Sequence, residues 1–239
     1  LTVLRFYLVY RAMVRAKIAA IRMDQEVGPA EARAGRRELA AYLGLAERYT
    51  TAHAPAIVLT RGVAGTGKST AAAVLVERIG AVRLRSDVER RRLYPDPDPA
   101  HRYSAAAHDA VYAHLESLAA RAVHAGFPVV VDATFLEQRR RAPFVALARR
   151  EGIPLRILDL ELPEQTAITR IEARRAAAAD ASEADRDVMQ AQRARLEPLS
   201  AAEAAHRLAV DNSGPAPRVP PTGLRHARGF GDDLDETPP

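Results

Sequence analysis

One segment, Gly62-Val63-Ala64-Gly65-Thr66-Gly67-Lys68-Ser69-Thr70, constrains this chain more than any other. It matches G-x-x-x-x-G-K-[ST], follows the apolar run AIVLT (56–60) and leads into the helical run TAAAVLVERI. Glycines let the backbone curl until successive N–H groups point at phosphate oxygens, and a helix beginning there adds a partial positive charge. In such a loop Lys68 reaches the β- and γ-phosphates of a nucleoside triphosphate, and the Ser69 hydroxyl is a hard oxygen ligand for Mg²⁺. Of the 35 basic residues only Lys17 and Lys68 are lysines. The alternative, a glycine-rich turn that merely contains Lys and Ser, leaves that placement to coincidence.

Around this loop the apolar runs AVRL (81–84), FPVVVD (127–132), LRILDLEL (155–162) and HRLAVD (206–211) alternate with helical stretches. Strands separated by helices predict βαβ crossovers and a parallel sheet covered on both faces. Ahead of them, residues 3 to 23 predict an amphipathic helix with Phe6, Val9, Tyr10, Met13, Val14 and Ile18 on one face, and residues 30 to 49 a second helix. Two helices cannot shield their own apolar stripes, so they are expected to pack on something else. After Ser213 the chain is rich in Pro and Gly and ends in an acidic cluster, which predicts a disordered tail. The expected organisation is therefore a helical segment (1–53), an α/β domain (54–213) and a tail (214–239).

Composition narrows the function classes. With 239 residues, 48% hydrophobic and 27% charged, the chain is too short for a multi-domain machine and too apolar for wholesale disorder. It has no Cys, which excludes disulfides, thiolate metal sites and cysteine nucleophiles. No run approaches the ~20 uncharged apolar residues of a transmembrane helix. The apolar opening is interrupted by Arg5 and Arg11 and lacks a small-residue cleavage site, unlike a signal peptide. A cytoplasmic protein with no membrane partner is expected. The net charge of +5 divides into +4 over residues 1–53 (nine basic, five acidic), +2 over 54–213 (23 and 21) and −1 in the tail. The near-balanced centre argues against a nucleic-acid partner.

Further candidates lie at the strand ends, where ligands of open α/β sheets bind. Asp132 closes the third strand and suits a Mg²⁺-holding carboxylate, or else the N-cap of the next helix. Asp87 follows the second strand and is a candidate for orienting an acceptor hydroxyl and taking its proton; Arg90, one turn on, would hold a polar or anionic group of the acceptor. Here too a helix N-cap at Ser86-Asp87 is the plainer alternative. Arg170 and Arg174 share a helix face and could stabilise a transferring phosphoryl group, with residues 175–187 as a lid; an arginine-rich solvent face is the competing reading. Asp159, within the fourth strand, reads as a buried structural carboxylate. The polar turn after the fifth strand puts Asn212 beside the nucleotide base. A long helix carrying Tyr103, His108, Tyr112 and His114 is expected to wall the acceptor pocket.

Taken together, GVAGTGKST, LRSDVERRRL, VVVDATF, the RIEARR…DASEAD segment and AVDNSG resemble the P-loop kinase family grouped with AAA-family ATPases, related to gluconate kinases, zeta toxins and polynucleotide 5′-kinases. The likeness covers residues 55–213. It implies an α/β three-layer P-loop NTPase sandwich with a five-stranded parallel sheet of order 2-3-1-4-5, ATP and Mg²⁺ as cofactors, and transfer of the γ-phosphoryl group to a hydroxyl. It also implies Asp87 and Arg90 at the acceptor and Arg170 and Arg174 in the lid. The opening FYLVYRAMVRAKIAAIR resembles the last helices of an aminoglycoside-phosphotransferase-like domain, which implies such a domain upstream as a partner. The leading expectation is a kinase for a small-molecule hydroxyl acceptor. The alternatives are a polynucleotide 5′-hydroxyl kinase, which calls for a basic channel and steep salt dependence, and an ATP-controlled module that has no acceptor and no use for Asp87.

Overall fold

Five short runs of Val, Ile and Leu form the strands β1 (Ile57–Arg61), β2 (Val82–Arg85), β3 (Val129–Asp132), β4 (Leu155–Leu160) and β5 (Arg207–Val210) of the computed structural model. They pair in parallel in the order β2-β3-β1-β4-β5, the order the P-loop kinase resemblance implies. Leu59 lies opposite both Val131 and Ile157, so β1 sits at the centre with its neighbours in step. β1 and β3 are buried along their whole length, because helices cover both faces, and their sequences are accordingly continuous in apolar residues rather than alternating. The structure describes residues 3–25, 28–50, 54–96, 98–177, 186–214 and 217–224.

The helices α1 (Leu4–Gln25) and α2 (Pro29–Thr50) precede the sheet; α3 (Lys68–Ile79), α4 (Ser86–Leu93), α5 (Pro99–Arg102), α6 (Ala105–His124), α7 (Gln138–Glu151), α8 (Glu164–Ala177), α9 (Arg186–Ala194) and α10 (Ala201–Ala204) are interleaved with its strands. On one face Ile57, Leu59, Val129 and Val131 pack with Val111 and Leu115 of α6 and Phe144 and Leu147 of α7. On the other, Val58, Val130 and Leu158 meet Ala71, Ala72, Leu75 and Ile79 of α3. Helix, sheet and helix therefore form three layers, each side excluding water from a row of strand side chains. Gly80 and Gly152, both in the left-handed conformation, end α3 and α7 and return the chain to the sheet.

The described residues divide into two units, one within residues 3–50 and one within 54–224. Within the first, α1 and α2 pack on each other. The residues that α1 buries are Ala12, Ala16 and Ala19, spaced to share a face, where small side chains permit close approach. Phe6, Tyr10, Met13, Val14 and Ile18, the expected apolar stripe, are exposed, with Phe6 and Tyr10 stacked on each other. Among the described residues no helix is long and apolar enough to cross a membrane.

The expected tail needs one correction. Residues 217–224 pack on the second unit: Val219 and Leu224 enter the core cluster beneath α3, and Thr222 is buried. Arg78 donates to Val219 O (2.9 Å), Arg156 Nε to Thr222 O (2.9 Å), and Arg218 N to Asp211 O (2.8 Å). Side chains from α3 and β4 thus satisfy the carbonyls of a Pro-rich segment that cannot pair as an ordinary strand. Residues 225–239 of that tail lie outside the described residues.

Candidate active site

The phosphate-binding loop runs from the end of β1 to the first turn of α3. Gly67, at φ +84°, is the N-cap of α3, and a Cβ there would collide with Asn212 Nδ2. The loop is braced internally by Thr66 Oγ1 donating to Val63 O (2.9 Å) and by Lys68 Nζ donating to Val63 O (2.7 Å). Gly62 N donates to Thr134 O (3.1 Å), tying the loop to the segment after β3. Asn212, buried two residues past the end of β5, donates to Thr66 O (2.6 Å). Its amide thus braces the loop backbone, and Asn212 also lines the cavity beside the loop.

Asp132 closes β3 and is 5% exposed. Its Oδ2 accepts from Ser69 Oγ (2.9 Å) and from Arg83 Nη2 (2.6 Å), with Arg85 Nε at 3.7 Å. Arg83 also donates to Ser69 O (2.8 Å), so one guanidinium joins the start of α3 to the end of β3. The N-cap of α7 is Glu137, five residues beyond Asp132, so the capping alternative does not hold. Nor does it for Asp87: the N-cap of α4 is Arg85, which makes no side-chain cap.

Asp87 lies in the first turn of α4, half-buried. Burial, and then the neighbouring Asp132 charge, push its carboxyl above the usual aspartate range against the pull of Lys68, Arg85 and Arg90. Arg90 is buried one turn later. Its Nη1 donates to Arg102 O (3.1 Å), its Nη2 lies 3.2 Å from His108 Nδ1, and its guanidinium sits 5.2 Å from the Tyr103 ring centre. Its Nε is buried with no hydrogen-bond partner. Because guanidinium can only donate, His108 Nδ1 accepts, which puts the imidazole proton on Nε2. Burial, then the charges of Arg90, Arg140 and Arg195, lower the His108 pKa to about 4. Tyr112 OH lies 3.1 Å from Thr134 Oγ1 and accepts from Phe135 N (3.4 Å). Phe135 is the one non-glycine among the described residues with positive φ (+45°), and that strained turn carries the chain away from Asp132.

A cavity of about 970 Å³ brings these parts together. Lys68, Ser69 and Thr70 line it beside Asp87, Arg90, Asp132, Arg170 and Asn212, with Tyr103, His108 and Tyr112 as a wall. Tyr103 stands in the turn before α6 rather than on the helix, and His114 faces Glu89 (3.4 Å). Arg170 donates to Asn212 O (2.7 Å) and Gly214 O (3.1 Å). The side chain of Arg174 and residues 178–185 of the expected lid lie outside the described residues. Asp159 is structural, held between Arg61 and Arg207 and 3% exposed. The sequence reading missed Arg83 and Arg85, whose relation to Asp132 comes from the β2–β3 register, in which Arg85 pairs with Asp132. It also missed Gln192 and Arg195 of the α9 region, which line the cavity; their spacing of three on a helix was the available signal.

A parallel sheet in this order, with a glycine-rich loop leading from its central strand into a helix and a carboxylate ending the next strand, defines a P-loop nucleotide-binding fold. The AAA_33 family, an AAA domain, matches residues 57–199, and the chain belongs to it. Uncharacterized proteins of Mycobacterium tuberculosis and Mycobacterium bovis are 33% identical to it over 145 residues, 57% of this chain and 28% of theirs, so the match spans under a third of their length. Among solved structures, a Chloroflexus aurantiacus protein with a provisional kinase name is 18% identical, with TM-score 0.54, covering 68% of this chain and 88% of its own. A sugar kinase from a Janibacter species is also 18% identical, with TM-score 0.50, covering 68% and 87%. At these identities the likeness is one of fold.

Proposed function

We propose that the chain is an ATP-dependent kinase that transfers the γ-phosphoryl group of ATP to a hydroxyl of a small-molecule acceptor. The observation that carries this reading is that one cavity holds both the phosphate-binding loop and, facing it, a carboxylate with a raised pKa beside a buried arginine. A nucleotide switch needs only the first of these.

The loop amides and Lys68, moving off Val63 O, would grip the β- and γ-phosphates. Ser69 Oγ and the Asp132 carboxylate are adjacent hard oxygens, a set that fits Mg²⁺, which takes one or two protein ligands with waters and phosphates. Held by Ser69 and Asp132, Mg²⁺ would supply positive charge that offsets the charge developing on the transferred group. Arg83 fixes the rotamer of Asp132 by holding Oδ2. Asp87 orients the acceptor hydroxyl, whose oxygen forms the new bond to the γ-phosphorus as the bond to the β-phosphate oxygen breaks; the hydroxyl proton passes to Asp87 and ADP leaves. Arg90, backed by neutral His108, offers its unpaired Nε–H to a polar or anionic group of the acceptor. Arg170, anchored on the turn after β5, supports the nucleotide side, and Arg174 is assigned to the transferred group. ATP as co-substrate fits a cytoplasmic setting.

The test is incubation with γ-labelled ATP and pooled sugars, sugar nucleotides, aminoglycosides and oligonucleotides. Label on a small hydroxyl compound supports the proposal; label only on oligonucleotides or only in free phosphate overturns it in favour of a polynucleotide kinase or an acceptor-free module. Lys68→Ala should abolish turnover. Asp87→Asn should bind ATP yet lose transfer, and full transfer by that variant removes the role given to Asp87.

A further inference from the structure

We infer that Gln192 is a positioning residue that ties the α9 wall of the cavity to the phosphate-binding loop, an inference that rests on the nucleotide-binding reading of that loop. Gln192 Oε1 accepts from the backbone N–H of Ala64 at 2.7 Å, so a side chain from α9 satisfies a main-chain donor inside the loop. Three positions earlier, Met189 is fully buried among Val63 and Ala64 of the loop, Leu136, and Ala167, Ile168 and Ile171 of α8. Three positions later, Arg195 lines the cavity. Met189 and Gln192 therefore lie on one side of α9, a hydrophobic anchor and a polar tie, and Arg195 follows in the turn just past the helix end, where its N–H donates to Gln192 O (3.1 Å).

A buried N–H without a partner is disfavoured, so the loop conformation that presents the Ala64 amide and the docked position of α9 favour each other. Whatever orders one orders the other, and the coupling is reciprocal. Triphosphate gripped by the loop then holds α9 in place, with Arg195 presented to the cavity. The wall that excludes water from the reaction is set by the same loop that binds the nucleotide. Neither Met189 nor Arg195 alone would provide this, because of these three residues it is Gln192 that hydrogen-bonds the loop backbone.

The test compares the full chain with Gln192→Leu, which keeps the bulk and removes the acceptor, and Gln192→Glu, which keeps an acceptor oxygen. Amide hydrogen exchange is followed in the nucleotide-free proteins, and binding of Mg²⁺ with the non-hydrolysable analogue AMP-PNP is measured by calorimetry. In Gln192→Leu, exchange in residues 62–68 and 186–195 should rise together by about two- to tenfold, the span expected for one lost hydrogen bond, and AMP-PNP affinity should fall by a similar factor. Exchange in β3 and β4 should not move. Gln192→Glu should restore protection in both segments while binding AMP-PNP less tightly than wild type, because a carboxylate then faces the triphosphate. Exchange that rises in α9 alone, or loop protection and AMP-PNP affinity that stay at wild-type values, would make Gln192 an ordinary packing residue. Wild-type protein that binds no AMP-PNP would instead overturn the nucleotide reading, and the exchange comparison alone would then decide the tie.

Discussion

Replacing Arg141 by Met tests how the turn behind the cavity is held. Arg141 is fully buried on α7. Its guanidinium donates to Glu203 Oε1 (2.6 Å) and Oε2 (3.1 Å), to Phe135 O and Leu136 O (2.9 Å each), and to Pro198 O (3.1 Å). Met fills much of the volume but supplies no donor, so Glu203, itself 4% exposed, keeps only its Ser200 partners, Phe135 O and Pro198 O lose the Arg141 donor, and Leu136 O keeps only Glu197 N. Removing one member of a buried ion pair costs about 3–5 kcal/mol, a large part of a domain's usual ~5–15 kcal/mol. Burial by itself raises the Glu203 pKa, but the Arg141 and Ser200 hydrogen bonds outweigh it and hold the carboxyl below its ordinary value. The pair's contribution is therefore complete above the ordinary glutamate pKa and is lost as pH falls through the lower folded value. Urea unfolding at pH 7 measures the cost, and Arg141→Met combined with Glu203→Leu should recover about 1–3 kcal/mol relative to the sum of the single changes. A single-variant loss below ~1 kcal/mol, or strictly additive changes, would refute the reasoning. The same variant should weaken nucleotide binding, because Phe135 is held at positive φ by this guanidinium and Thr134 beside it supports both Tyr112 and Gly62.

Gly67→Ala combines a φ of +84° with a collision at Asn212, and about 1–3 kcal/mol of strain should weaken ATP binding roughly tenfold or more; calorimetry showing wild-type affinity would contradict the loop geometry. Asp87 has a folded pKa above its unfolded one, so it stabilises the fold only at low pH and costs stability as pH rises through that value. Asp87→Asn should accordingly unfold at a higher urea concentration at pH 7 while losing transfer, and the acid limb of acceptor kcat/KM should lie above the ordinary aspartate range. His108 titrates near 4 in the fold, below its unfolded value, so its contribution to stability is complete above about pH 6.5 and declines as pH falls toward 4. His108→Phe should remove that part of the acid sensitivity, and an imidazole pKa near 6.5 by NMR would contradict its pairing with Arg90.

The sequence by itself determined the strands, their alternation with helices, and the loop whose glycines, lysine and serine sit at fixed spacing. These are local matters: an apolar run buried on both faces, or a backbone curl around phosphate, is written in adjacent residues. It also placed Asp87 and Asp132 at strand ends facing one crevice. Position along the chain singled out Arg90 and Arg170, which line the cavity, but only the tertiary structure decided the roles of the other arginines: the β2–β3 register sets Arg83 and Arg85 on Asp132, and folding seals Arg141 against Glu203, two groups 62 residues apart. Likewise Asn212 under the loop, Gln192 on Ala64 and the packed segment 217–224 depend on partners brought from distant parts of the chain. A side chain's donor or charge is legible at its own position, but its burial and its partner exist only once the sheet has closed.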